Sequence, residues 1–271
     1  MSLPKPGNTL VRISRLPVLI LLAVSAGTSA GDRASPQPFS HQTWDKLLKA
    51  NVTEEGWVNY QNFRTKDAGE LKAYLGAVGE ADPSKLTDRN EQKAFWINAY
   101  NAVCIQTLLD QGLPEEVPHA KIFGANIFTQ RTYKVAGKVR SLDDIEHGIL
   151  RKEHKDGRLH AAVVCGASSC PRLRPEAYAG ERLEKQLDEE VRSWLTKEKN
   201  KKGERKNYLD NEKKVYHVSK IFYWYQEDFE GSEEGVLKFH KKYLEGADRD
   251  GLEKNRIKVQ YLDYDWALNK Q

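Results

Sequence analysis

Cys165 and Cys170 are the residues best suited to chemistry by type and place. Cys165 closes the apolar run RLHAAVVC, and Cys170 precedes Pro171 in the stretch GASSCPRLRP. Sites in α/β-type proteins open at the carboxyl ends of buried strands. Proline favours the first helical position, so Cys170 stands where a helix cap would stand. A thiol there has a lowered pKa and gains nucleophilicity. The same pair also suits a disulfide closing a small loop, since an oxidising compartment permits one. Two inert thiols are a third reading. A metal site would need two more ligands than the C-x4-C spacing supplies locally.

A thiol nucleophile needs a base. His147 is the favoured candidate, because it lies off the apolar stripe of its helix with Asp143 one turn before it and Arg151 one turn after. An acid at that spacing fixes the imidazole tautomer. His160 is closer to Cys165 in sequence, but five residues along a regular strand put two side chains on opposite faces. His160 therefore reads as a hydrogen-bonded core histidine. Asn98 and Asn101 share one helical face among aromatic residues, and asparagine is a poor helix-interior residue. The two amides would bind a substrate carbonyl, orient a histidine or cap buried backbone. Glu146, beside His147, poses the same choice between substrate contact and structure. The aromatic group Phe222, Tyr223, Trp224, Tyr225 and Phe229 suits a glycan or peptide groove as well as a core.

The elements that must position these residues follow from periodicity. Asp88 and Glu91 have capping-box spacing, and EQKAFWINAYNAVCIQTLLDQG runs on to Gly112 with Pro114 beyond it, which predicts a long helix. TYKVAGKVRS alternates about Ala136-Gly137 as a β-hairpin does. Ser141 and Asp144 form a second capping box, opening the helix SLDDIEHGILRK. RLHAAVVC reads as a strand covered on both faces. Residues 181–196 make an amphipathic helix, 215–219 alternate as a strand, and a further helix and strand follow in EEGVLKFHKKYL and IKVQYLDYDW. TKEKNKKGERKN reads as a solvated basic loop. Strands and helices do not alternate regularly, so the expected class is α+β: one domain with a small central mixed sheet and helices packed on it.

The first thirty residues carry Lys5, Arg12 and Arg15, then the apolar stretch Leu16–Val24, then small residues before Gly31. That is the pattern of a cleavable signal peptide, and the apolar stretch is short of the ~20 residues that span a bilayer. The expected product is an exported chain, periplasmic or secreted, with no integral membrane segment once mature. Without those three basic residues the 43 basic side chains fall to 40 against 39 acidic, a net charge of +1. A nucleic-acid partner is therefore not implied, despite an isoelectric point near 8.7 for the whole chain. No Walker loop, dinucleotide fingerprint, HExxH or GxSxG occurs, and no cofactor is indicated.

The motifs AFWINAYNA, SLDDIEHGILR, RLHAAVVCGASSCPRLR, SKIFYWYQEDF and YLDYDWALN, in that order, resemble the domain-of-unknown-function-547 family over roughly residues 85–270. Residues 31–84 form a helical lead-in that includes WDKLLKANVTEEGWVNY. The resemblance implies an exported bacterial protein and little about activity. Cys104 occupies an ordinary apolar helix position. Two functions remain open. One is a cysteine-dependent hydrolase or acyl transferase acting on an envelope or extracellular substrate, with Cys165 or Cys170 as nucleophile, His147 as base and Asn98, Asn101 and Glu146 at the substrate. The other is a non-catalytic periplasmic binding or assembly module in which Cys165 and Cys170 form a structural disulfide. For the leader, N-terminal sequencing of the protein recovered outside the cytoplasm should begin within a few residues of Gly31. An intact Met1 there would refute the signal peptide.

Overall fold

The computed structural model describes residues 39–118, 126–254 and 256–271. Residues 1–30, where a signal peptide is expected, and most of the segment 31–40 lie outside them. The longest element is also the most enclosed. Helix α4 (Arg89–Asp110) buries almost every side chain from Lys93 to Cys104, on all faces. Asp88 opens it by accepting from the backbone N–H groups of Asn90 and Glu91. Gly112, at φ +78°, turns the chain away from its end.

Before α4 come α1 (Gln42–Asn51), α2 (Tyr60–Thr65) and α3 (Ala68–Glu80). Trp44 of α1 stacks on Tyr74 of α3 with ring centres 5.7 Å apart. After α4, a short helix α5 (Ile127–Gln130) leads into the hairpin of β1 (Thr132–Val135) and β2 (Lys138–Ser141). The expected turn is there: Ala136 and Gly137 both have positive φ, which is the backbone of a two-residue hairpin loop. Its N–H groups bond to Val78 and Gly79 of α3. The predicted capping box at Ser141 and Asp144 is also formed, with both reciprocal bonds. It starts α6 (Leu142–Ile145), which widens into a π-helix over Glu146–His154.

The segment read as a central strand is not one. Leu159–Ala162 forms a single helical turn, α7, and Val163 then becomes extended without joining a sheet. A short apolar run has no period that separates a buried turn of helix from a buried strand. Burial was read correctly, since residues 159–164 are all enclosed.

The rest of the chain builds a second hydrophobic cluster. It contains α8 (Leu183–Thr196), β3 (Tyr208–Asp210), β4 (Val215–Val218), α9 (Ile221–Trp224), α10 (Glu233–Tyr243), α11 (Gly246–Lys254) and β5 (Lys258–Tyr261). The mixed sheet is here: β4 pairs antiparallel with β3 and parallel with β5. Trp194 of α8 stacks on Phe222 of α9 at 4.6 Å. The stretch 196–207 is less solvated than its charge suggests, because Glu198, Lys206 and Asn207 are buried. With its helices and two small sheets the chain is α+β, as expected. No described helix is long and apolar enough to cross a membrane.

After β5 the chain runs back over the first cluster. Val117 N–H donates to Trp266 O, Ser168 N–H to Ala267 O and Asn269 N–H to Gly166 O. Tyr60 Oη donates to Asn269 Oδ1 at 2.7 Å.

Three histidines should make the fold sensitive to mild acid. Burial lowers His41, His154 and His240 to about 4, and both ring nitrogens of His154 and Nε2 of His240 have no hydrogen-bond partner. These residues take up protons in the unfolded chain near pH 6.5 but in the folded chain only near 4. Stability should therefore fall as the pH drops from about 6.5 to about 4. The carboxylates of Asp156, Glu176 and Asp228, held near 2 by their cationic partners, lose their contribution only at lower pH still. Melting temperatures measured across that window check this, and a flat profile between pH 6.5 and 4.5 would contradict it.

Candidate functional site

A cavity of about 360 Å³ opens where the two hydrophobic clusters meet. The first cluster supplies Tyr100, Val163 and Cys170, the second supplies Ile221 and Tyr225, and Tyr264 packs against both. Glu146 and His147, on the first turn of the π-helix, reach the same space, as do His160 and Cys165. π-Helical turns are rare and often sit at functional sites.

Cys165 is delivered by backbone that has no sheet to hold it. Asn101 substitutes for one. Its Nδ2 donates to Ala162 O at 2.9 Å and its Oδ1 accepts from Val164 N–H at 3.0 Å. Asn98, one turn earlier, does the same for Tyr178, bonding both its C=O and its N–H. Both asparagines are buried and neither lines the cavity. Each asparagine thus pins a loop to α4. Gly166, directly after Cys165, has φ +82°, and a Cβ there would lie 2.5 Å from Leu108 Cδ1. Only glycine fits this bend.

The cysteines are all free thiols. The structure holds no disulfide between Cys165 and Cys170. Cys170 Sγ instead accepts the N–H of Cys165 at 3.0 Å, while Cys165 Sγ lies 3.4 Å from the Tyr264 hydroxyl. The two thiols differ in character. A hydrogen bond from the Cys170 thiol, helped by Tyr264 and the Ala167 N–H, lowers the pKa of Cys165 against the opposing effect of burial. Burial, and then the bond to Cys165, raises Cys170. Burial also raises Cys104, which is enclosed in α4 as its apolar position suggested. Among the three cysteines, Cys165 alone combines a lowered pKa with partial exposure.

Two histidines line the cavity. His147 has both nitrogens engaged: Nδ1 accepts from Arg151 at 2.9 Å, and Nε2 lies 3.4 Å from Asp143 Oδ1. The acid and the arginine one turn away are thus where the sequence placed them. His160 differs. Its Nε2 bonds to Asp228 Oδ2 at 2.6 Å, its ring stacks on Tyr225 at 4.4 Å, and no hydrogen bond from another described residue reaches Nδ1. Asp228 also accepts from Arg151 Nε at 2.6 Å. Burial would raise the Asp228 carboxyl, but His160 and Arg151 pull it down to about 2. Glu146 accepts from the Tyr100 hydroxyl at 2.9 Å. Sequence reasoning missed Asp228, Tyr100, Tyr264 and Trp266. His160 is buried and hydrogen-bonded, as a core histidine would be, and it also lines the cavity, because the opposite-face argument needs a strand and the chain between His160 and Cys165 is part helix.

The loop beyond Cys170 is anchored ionically. Arg172 and Arg174 both bond to the fully enclosed Glu190 of α8, and Lys206 bonds to Glu198 and to the carbonyl of Cys170. Among the described residues no group of three or more His, Cys, Asp or Glu side chains is arranged to hold a metal ion.

Residues 83–195 match the family model described as a protein of unknown function, DUF547, in agreement with the resemblance carried by the motifs of that region. The cavity is completed from outside the matched span, by Ile221, Trp224, Tyr225, Tyr264 and Trp266. No curated protein and no solved structure matches the chain.

Asn101→Ala should leave Ala162 C=O and Val164 N–H buried without partners, at roughly 1–3 kcal/mol for each group. Chemical denaturation measures the loss. An unchanged midpoint would mean that the Cys165 segment does not depend on α4.

Proposed function

We propose that the protein is a thiol-dependent hydrolase or acyl transferase, exported to act on an envelope or extracellular substrate, with Cys165 as nucleophile. One observation carries this reading. Cys165 Sγ borders the cavity among donors that favour its thiolate, while a histidine oriented by a carboxylate lines the same cavity. A nucleophile, a base and a third group that orients the base are the parts that acyl transfer requires.

His160 is the base in this reading, rather than His147. With the Nε2 proton directed at Asp228, Nδ1 keeps its lone pair for proton transfer. Both nitrogens of His147 are already engaged. His160 Nδ1 takes the proton of the Cys165 thiol, and the resulting thiolate adds to the substrate carbonyl carbon. The bond to the leaving group breaks, and the leaving group takes a proton from His160. The resulting thioester is attacked by water, or by an acceptor amine or alcohol, which gives its proton to His160 as the thiolate departs. Cys170 keeps its own proton and donates to Cys165. The other reading, a non-catalytic binding or assembly module, uses the same cavity and gives Cys165 no special reactivity.

Iodoacetamide labelling of the reduced, native protein near neutral pH separates the two, with the modified residue identified by mass spectrometry. Cys165 should label several-fold faster than a free model thiol, and Cys104 and Cys170 only on unfolding. His160→Ala and Asp228→Asn should slow the labelling, and His147→Ala should leave it nearly unchanged. A Cys165 no faster than the model thiol would defeat the catalytic reading.

A further inference from the structure

The walls of the cavity say what kind of group it receives. Six aromatic side chains line it: Tyr100, Phe128, Trp224, Tyr225, Tyr264 and Trp266. Three of them form a corner, with ring centres 4.9 Å apart for Trp224 and Tyr264, 5.8 Å for Trp224 and Trp266, and 4.5 Å for Tyr264 and Trp266. The rings are tilted against one another, so faces as well as edges are presented. Trp224 remains 44% exposed. The charged groups in the lining are the carboxylates of Asp143 and Glu146, and no lysine or arginine is among the described lining residues.

Aromatic faces are electron-rich and attract cations, and a carboxylate nearby adds to that attraction. An anion would meet two carboxylates and ring faces. A neutral apolar group would gain from the rings but leave the carboxylates unanswered. The chain already uses the same contact beside the cavity, where Arg151 lies over the Tyr225 ring at 4.8 Å. We propose that this cavity binds an organic ammonium group, held between the Trp224–Tyr264–Trp266 corner and the Glu146 and Asp143 carboxylates, as the cationic end of the molecule whose acyl carbon meets Cys165. The reacting end of that molecule rests on the function proposed above. Binding of the ammonium end does not.

The test uses the full chain with Cys165→Ser, so that no chemistry intervenes, and isothermal titration with choline and with butylammonium. The control is 3,3-dimethylbutan-1-ol, which has the shape of choline without its charge. Choline or butylammonium should saturate the protein in the millimolar range, and the neutral alcohol should bind about tenfold more weakly or worse. The two arms distinguish a quaternary from a primary ammonium. Glu146→Gln and Trp224→Ala should each weaken binding about threefold or more, with melting curves confirming that both variants fold. Equal binding of choline and the neutral alcohol would overturn the proposal, as would the absence of saturation by either ammonium at about 100 mM. In the native chain the ammonium that binds should also slow iodoacetamide labelling of Cys165, and unchanged labelling at saturation would place the ammonium elsewhere and overturn the assignment. Selective ammonium binding with an unreactive Cys165 would remove the nucleophile and keep the ammonium site. A reactive Cys165 without selectivity would do the reverse.

Discussion

Between Ala162 and Val164 the backbone passes through the protein interior with no neighbouring strand. Polar backbone groups in that position must find partners or cost the fold several kcal/mol. The side-chain amide of Asn101 provides them, offering a donor and an acceptor in the geometry that a strand edge would offer. Everything at the site inherits its position from this pairing. It fixes where the chain emerges at Cys165, and so where the sulfur stands relative to Tyr264 and Cys170. It also binds the segment to α4, the most enclosed element of the fold. Asn98 repeats the arrangement at Tyr178 on the same face of α4. Two asparagines that weaken the helix as isolated residues thus turn it into a scaffold for irregular chain.

Charge reinforces what the amides begin. Glu190 has no exposed surface, and two arginines from the loop after Cys170 converge on it. Such a pairing gives little net stability over apolar packing, but removing one partner strands the other in a medium that cannot solvate it. Its effect here is one of placement, because the loop has a single position in which all three charges are answered. Arg151 plays a related part across the seam, joining the π-helix to Asp228 while covering the ring that stacks on His160.

Much of this was legible in the residues. The long helix, the hairpin at Ala136-Gly137, the capping box at Ser141 and the amphipathic α8 follow from local periodicity and local turn chemistry, and they form as read. Cys165, Cys170 and His147, singled out by type and spacing, all line the cavity. What was not legible depends on distance along the chain. RLHAAVVC is apolar enough for a strand, but its hydrogen-bond partner is a side chain some sixty residues earlier, which no local pattern announces. That His160 shares a cavity with Cys165 is hidden by that one error. Asp228, Tyr264 and Trp266 join the site from 60–100 residues beyond Cys165, through packing of the second cluster, and their spacing carries no signal of it.

The return of the chain over the first cluster has a temporal side. The loop that carries Cys165 is bonded through Gly166, Ser168 and Ser169 to residues 265–269, and Tyr264 supplies a hydroxyl to the sulfur itself. Synthesis runs in one direction. While residues 264–269 are still inside a ribosome, the cysteine exists but its surroundings do not. The part of the Cys165 pKa lowering that Tyr264 adds to that of Cys170 therefore arrives only with the last turn of assembly, after the cysteine itself has long been made.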